Sequence, residues 1–403
     1  MSSEIENFDV NNFIQLQTEM IKKTLGNDKA IIAVSGGVDS TACAALTRRA
    51  IGNNLVCVFI DTNFMRKDEP EEVKKNLAKP PLKLPIKIVQ AQKRFMKNLE
   101  GLTDAEEKRK AFRHTFYSTL AETAKKEKCK WLVQGTIAPD LIETKGGVKT
   151  QHNVLEQIGI DPKEKYGYQV IEPIANLYKP QVRILSRTLG FPKKMSERQP
   201  FPGPGLMVRC VGSVSKGKIQ QLKTATEIIE KALMNYDAQQ YFTTVIENSP
   251  YEGLETYDIK KDLLDAANLE SKDLKVSILE DMATGVVEGK RIYGQMVGVK
   301  FSQTMLQEMD KRILVLSNAC AQFLKNNPNY VRLLLEIKQI EKQKPYAVII
   351  RAINTDNFMT AEPIQINWKT LTSISSKIIR RCEKVSIAYY DLTPKPPATI
   401  EFE

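Results

Sequence analysis

No glycine loop of the form G-x-x-x-x-G-K-(S/T) occurs in the 403 residues. That excludes the common lysine-bearing cradle for β and γ phosphates. Histidine is scarce, with only His114 and His152, and the six cysteines are scattered without a CxxC pair. A histidine- or cysteine-based metal site and a disulfide framework are both disfavoured, so the cysteines read as reduced thiols. No run of about 18 apolar residues is present, which argues against a membrane-spanning helix. The opening MSSEIENFDVNNF is polar and acidic, unlike a secretory leader. Lysine and arginine outnumber aspartate and glutamate 59 to 48, yet they form no arginine-rich tail and no aromatic-interleaved patch. The surplus therefore weighs against nucleic acid and leaves a phosphate-rich small substrate and an ordinary basic surface equally open. A cytoplasmic enzyme of about two or three domains is expected.

Apolar positions at helical spacing (Phe13, Leu16, Met20, Ile21) predict a helix over 10–25. Four short apolar runs then alternate with helical stretches: AIIAV (30–34), LVCVFI (55–60), IKIV (86–89) and WLVQG (131–135). Such runs read as buried parallel strands, and the alternation predicts a doubly wound α/β domain with its site at the carboxyl ends of the strands. Helices are expected near 40–50, 69–78, 91–99, 105–127 and 179–189. The stretch RQPFPGPG (198–205) breaks any regular element and sets a domain boundary, 1–205 against 206–403. Beyond it the pattern predicts an α+β domain, with helices at 217–235, 260–268 and 303–326 and strands at 293–299, 346–353 and 385–392. QMVGVK and AVIIRA read as weak copies of one strand, about fifty residues apart.

The most informative stretch is KAIIAVSGGVDSTACAALTRRA (29–50). A strand, a glycine turn and a helix aim backbone N–H groups and a helix N-terminus at an anion. Gly36 and Gly37 permit close approach, and Ser35, Ser40 and Thr41 carry hydroxyl donors. Asp39 repels phosphate, so its expected role is to orient the loop or to help hold Mg²⁺. Without the lysine, the loop suits a departing pyrophosphate, with attack at the α-phosphate.

SGGVDS resembles the signature of the PP-loop ATP pyrophosphatases, whose members adenylate a carbonyl or carboxyl group. Three further segments resemble GMP synthetases: QGTIAPDLIET (134–144), RQPFPGPGL (198–206) and KPPATIEFE (395–403), against QGTxxPDxIE, R-(H/Q)-PFPGPGL and KPPATIEWE. DNFMTAEP (356–363) is similar to the same family's DFMTA segment with Asn357 inserted. The resemblance implies an adenine nucleotide alpha hydrolase-like domain followed by an α+β dimerisation domain that completes the site for xanthosine monophosphate (XMP). It implies ATP and Mg²⁺ as cofactors, a homodimer, and ATP contacts from Ser35, Gly36, Gly37, Val38, Asp39, Ser40 and Thr41. Asp61, at the end of the run LVCVFID, falls where an adenine or ribose contact would lie, with a plain loop cap as the alternative. It assigns catalysis to Asp39 and to Lys149, the latter in GGVKTQHN where the family has IKSHHN, and the metal to Asp39. XMP contacts are implied for Arg198, Lys395, Ile400 and Glu401. Arg351, at the end of a strand before DNFMTA, reads as a phosphate clamp on XMP, with a structural surface arginine as the alternative. Asp140 and Glu143 fall near the acceptor region, and His152 is open between a structural and a functional role.

Several positions depart from the family pattern. Gln151 stands for the first histidine of HHN, Arg113 for a glycine, and Phe402 for the tail tryptophan. Residues 301–343 read as an insertion. No G-x-C-x-G elbow occurs and the first strand is expected by residue 30, so glutamine hydrolysis is expected on a separate amidotransferase subunit that supplies ammonia. Two rival readings remain open in the sequence: another adenylating PP-loop enzyme, for example one that modifies tRNA, and a non-catalytic paralogue that binds purine nucleotides.

Overall fold

The computed structural model describes residues 8–138, 161–191, 201–270, 274–302, 308–355 and 359–403. The chain forms two compact units. One comprises residues 1–98 and 109–203, the other 99–108 and 204–403. Residues 99–108 thus belong with the second unit.

The first unit begins with α1 (Val10–Leu25), capped by the Asp9 carboxylate, which accepts from the backbone of Asn11 and Asn12. Then follow β1 (Lys29–Ala33), α2 (Val38–Ile51), β2 (Leu55–Asp61), α3 (Glu69–Leu77), β3 (Ile86–Gln90), α4 (Gln92–Asn98), α5 (Ala105–Glu127) and β4 (Cys129–Val133). After these come α6 (Pro162–Tyr166), β5 (Gln169–Ile171) and α7 (Lys179–Thr188). The five strands form one parallel sheet in the order β3-β2-β1-β4-β5. The chain leaves β1 toward β2 on one side and places β4 on the other, so the order reverses at β1. Ligands in such sheets bind beyond the carboxyl ends of the strands at that switch point. Ile14, Ile21, Ile32, Ala42, Leu46, Phe59, Val133 and Leu185 share one buried cluster, because strands buried on both faces must be apolar throughout.

The second unit opens with a 3-10 turn (Gly205–Arg209), followed by α8 (Lys216–Leu233), β6 (Gln240–Glu247), β7 (Pro250–Tyr251), α9 (Glu255–Ala267) and β8 (Leu274–Val287). It continues with β9 (Lys290–Phe301), α10 (Met309–Asn326), β10 (Tyr330–Gln339), β11 (Tyr346–Asn354), β12 (Glu362–Pro363), α11 (Trp368–Arg381) and β13 (Val385–Asp391). The mixed sheet runs β12-β11-β13-β10-β9-β8-β7, with β6 also paired to β11. β9 and β10 pair in parallel across α10, β11 and β13 pair in parallel across α11, and the two β-α-β halves join at an antiparallel β10–β13 seam.

The stretch read as an insertion is an integral part of this sheet. Residues 309–326 and 330–339 supply the helix and inner strand of the first half, and β10 lies in the interior of the sheet. The similarity noted between QMVGVK and AVIIRA is between β9 and β11, the outer strands of the two halves.

Candidate functional site

The loop after β1 forms at the switch point. Gly36 takes φ +77°, a left-handed conformation that favours glycine, and Gly37 is the N-cap of α2. The Ser35 and Ser40 hydroxyls lie 3.1 Å apart, and Ser40 Oγ also accepts from Ser35 N at 3.2 Å. Both serines are thus held at the open N-terminal end of α2. The Thr41 hydroxyl differs from expectation, since it is spent within the loop. Thr41 is fully buried and its hydroxyl donates to Gly37 O at 2.7 Å, while Val38 packs into the core cluster. Both side chains shape the loop from within.

Asp39 Oδ2 pairs with Lys179 Nζ at 2.5 Å. Lys179 is the first residue of α7, 140 positions along the chain. The sequence alone does not single it out, because no local spacing ties Lys179 to the loop. The other oxygen, Asp39 Oδ1, is shielded from solvent and makes no hydrogen bond. An orphaned carboxylate oxygen beside an anion-binding turn fits a Mg²⁺ ion, which takes one or two carboxylates together with substrate phosphates. Among the described residues no group of three or more histidine, cysteine, aspartate or glutamate side chains could hold a metal by itself.

The QGT segment follows β4 and abuts the same turn. A Cβ on Gly135 would lie 3.0 Å from Ser40 Cα and 3.1 Å from Ser40 N, both backbone atoms. Gly135→Ala should therefore displace the first turn of α2 and lower kcat/KM for ATP by about 10- to 100-fold, in line with the cost of misplacing a reacting group by about 1 Å. Pyrophosphate release measured against ATP concentration checks this.

Asp61 organises its own loop. It accepts from Asn63 N at 3.0 Å and from Gln92 Nε2 at 2.6 Å, so both its oxygens are engaged within the protein. Arg113 lies in α5, where its charge opposes the upward push of burial on the Tyr117 and Tyr166 phenols. Lys149 and Arg198 lie outside the described residues, as do Asp140, Glu143, Gln151 and His152.

In the second unit the tail is docked. Lys395 pairs with Ala361 through two backbone hydrogen bonds of 2.7 and 3.0 Å, Val286 N donates to Pro397 O, and Thr284 N donates to Phe402 O at 2.8 Å. Phe402 is fully buried, and Ile400 packs against the same cluster. Glu401 receives a two-pronged contact from Arg209, Nε to Oε2 at 2.9 Å and an Nη to Oε1 at 2.8 Å, and its side chain is 19% exposed. Glu403 is buried against Lys108, and burial raises its carboxyl above the ordinary range despite the lysine.

Arg351 departs from the expected phosphate clamp. The structure places it at zero exposure, donating to Asp391 Oδ2 at 2.6 Å and to the carbonyls of Thr393 and Thr399 at 3.0 and 3.1 Å. Arg332, which no sequence motif marks, reaches the same Asp391 oxygen at 3.0 Å and Glu401 O at 2.8 Å, and lies 4.2 Å over the Phe402 ring. Burial, joined by the Arg351 charge, pushes Arg332 down to about 9 against the pull of Asp391. Arg351 is thus a strut beneath the tail rather than a surface cation.

A parallel sheet with a serine- and glycine-rich turn opening a helix at its switch point defines an α/β nucleotide-binding protein of the PP-loop class. Residues 10–261 match the family model described as NAD synthase, and residues 330–402 match that described as GMP synthase C terminal domain. A subunit of the glutamine-hydrolyzing GMP synthase from Saccharolobus solfataricus is 41% identical over 397 residues, covering 98% of this chain and all of the relative. Its counterpart from Sulfurisphaera tokodaii is 38% identical over 398 residues, with the same coverage. Among solved structures, NMN synthetase from Francisella tularensis is 16% identical, covering 49% of this chain and 78% of that one, with a TM-score of 0.39. The chain belongs to the family of these GMP synthase subunits.

Proposed function

We propose that this chain is the synthetase subunit of a two-part GMP synthase, a C–N ligase that converts XMP to GMP with ATP and ammonia. The observation that carries this reading is an anion-binding turn with a carboxylate and a lysine in place, in a chain whose tail KPPATIEFE is docked and held by charged partners. XMP O2 attacks the α-phosphorus of ATP. An O–P bond forms, the bond to the β-phosphate bridge breaks, and pyrophosphate leaves with that electron pair. Ammonia then adds at C2 of the adenylated purine and gives up a proton to solvent, the C2–O bond breaks, and AMP departs with that electron pair.

Such chemistry needs stabilised charge more than a covalent nucleophile. The N–H groups at the start of α2, with Ser35 and Ser40, receive the pyrophosphate. Lys179 supplies the positive charge that the loop itself does not contain, moving from Asp39 to phosphate. Asp39 is then free to hold Mg²⁺, which neutralises phosphate charge when bound. Lys149 is assigned to the phosphates in this reading, and Arg198, Lys395, Ile400 and Glu401 belong to the XMP side. The region from 206 onward serves as the dimerisation and XMP-binding domain of a cytoplasmic homodimer. No described helix is long and apolar enough to cross a membrane.

Ammonia comes from a separate glutamine amidotransferase subunit. The purified chain with XMP, ATP and Mg²⁺ should make GMP with ammonium and none with glutamine alone. GMP formation from glutamine without a second subunit would overturn the division of labour.

A further inference from the structure

We propose that Lys108 is a positioning residue for the XMP half of the reaction, locking Glu403 to the turn at 210–213 and so fixing the Arg209–Glu401 pair. The proposal rests on the reading that XMP binds against the tail. Lys108 lies in the first turn of α5, which Asp104 caps through Glu107 N at 2.8 Å. Its ammonium is fully buried and meets three acceptors: Cys210 O and Gly212 O, each at 2.8 Å, and the Glu403 carboxylate. Three N–H donors against three acceptors leave none over. The second Glu403 oxygen accepts from Gly212 N at 2.9 Å, so the carboxylate is held at two points.

The turn has little freedom of its own. Val211 O and Ser213 O accept from the buried Lys218 ammonium at 2.6 and 3.5 Å, and Lys218 pairs with Glu247 at 2.9 Å. Gly212 sits at φ +69°, and a Cβ there would meet Asp281 Oδ1 at 2.9 Å. Arg209 directly precedes this turn, with its guanidinium 4.1 Å over the Phe242 ring and its fork on Glu401. The lock therefore sets both ends of the Arg209–Glu401 pair: the arginine through the turn, and the glutamate through Glu403, two residues on.

The test uses the full-length chain with ammonium as nitrogen donor. Lys108→Met and Glu403→Gln are compared by KM for XMP, KM for ATP, and amide hydrogen exchange of residues 398–403 without nucleotide. Glu403→Gln keeps the side-chain shape and the Gly212 contact, and carries the test if Lys108→Met does not fold. Both variants should speed tail exchange and raise KM for XMP by about 10- to 100-fold, with KM for ATP within about twofold. Unchanged tail exchange would overturn the lock. A rise in both KM values together would reduce Lys108 to a general stabiliser and overturn the positioning role. Faster tail exchange with unchanged KM for XMP, in Glu401→Gln as well, would instead overturn the placement of XMP at the tail.

Discussion

Replacing Lys179 with methionine is expected to slow XMP-dependent pyrophosphate release by about 100- to 1,000-fold, the range for losing one preorganised charge-stabilising donor. The chain should nevertheless stay folded. Lys179 and Asp39 are 42% and 28% exposed, and a pair that open to water is worth about 1 kcal/mol or less. A small change in thermal midpoint with a large change in rate is therefore the signature of a residue that acts on substrate. A structural ion pair would give the reverse. Lys179→Arg tests geometry at constant charge. The planar fork cannot reproduce a compact ammonium at the first position of α7, so only part of the rate should return. Asp39→Asn should weaken the dependence on Mg²⁺ concentration, read by titrating the metal at fixed ATP. If Lys179→Met and Asp39→Asn shift stability by several kcal/mol and leave turnover intact, the pair is scaffolding and the loop has lost its role.

The parallel sheet is legible in the sequence because each strand is a continuous apolar run between turn residues. β1 to β4 fall within about two residues of the stretches read for them. The phosphate turn is legible for a related reason: its chemistry is local, six consecutive residues at a strand-to-helix junction. Partners drawn from far along the chain are not. Lys179, Arg209 and Lys108 find Asp39, Glu401 and Glu403 across 140, 192 and 295 positions. A lysine at the start of an amphipathic helix carries no mark of that in its neighbours. β10 escapes for another reason. YVRLLLEIKQ has a strand pattern, but it falls in the stretch that departs from the family's pattern and so reads as inserted. Arg332 within that apolar run is the available signal, since arginine is almost never fully buried unless paired.

Asp391→Ala should destabilise the second unit by about 3–5 kcal/mol or more, against a typical total of about 5–15 kcal/mol. Two fully buried guanidiniums share Asp391 Oδ2, so the native trio already carries one uncompensated positive charge. Removing the carboxylate leaves two. It also frees Thr393 N, which donates to Asp391 Oδ1 at 2.9 Å. Arg351→Met acts in the opposite sense on charge, leaving a one-to-one Arg332–Asp391 pair. Its cost is the loss of donors to Thr393 O and Thr399 O, about 1–3 kcal/mol for a buried acceptor left unsatisfied. The expected order of urea midpoints is therefore wild type, then Arg351→Met, then Asp391→Ala. Arg351 also discriminates between two roles. As a strut it should lose stability first and affinity for XMP only through a loosened tail. As a phosphate clamp it would raise KM for XMP with the urea midpoint unmoved, an outcome its complete burial argues against.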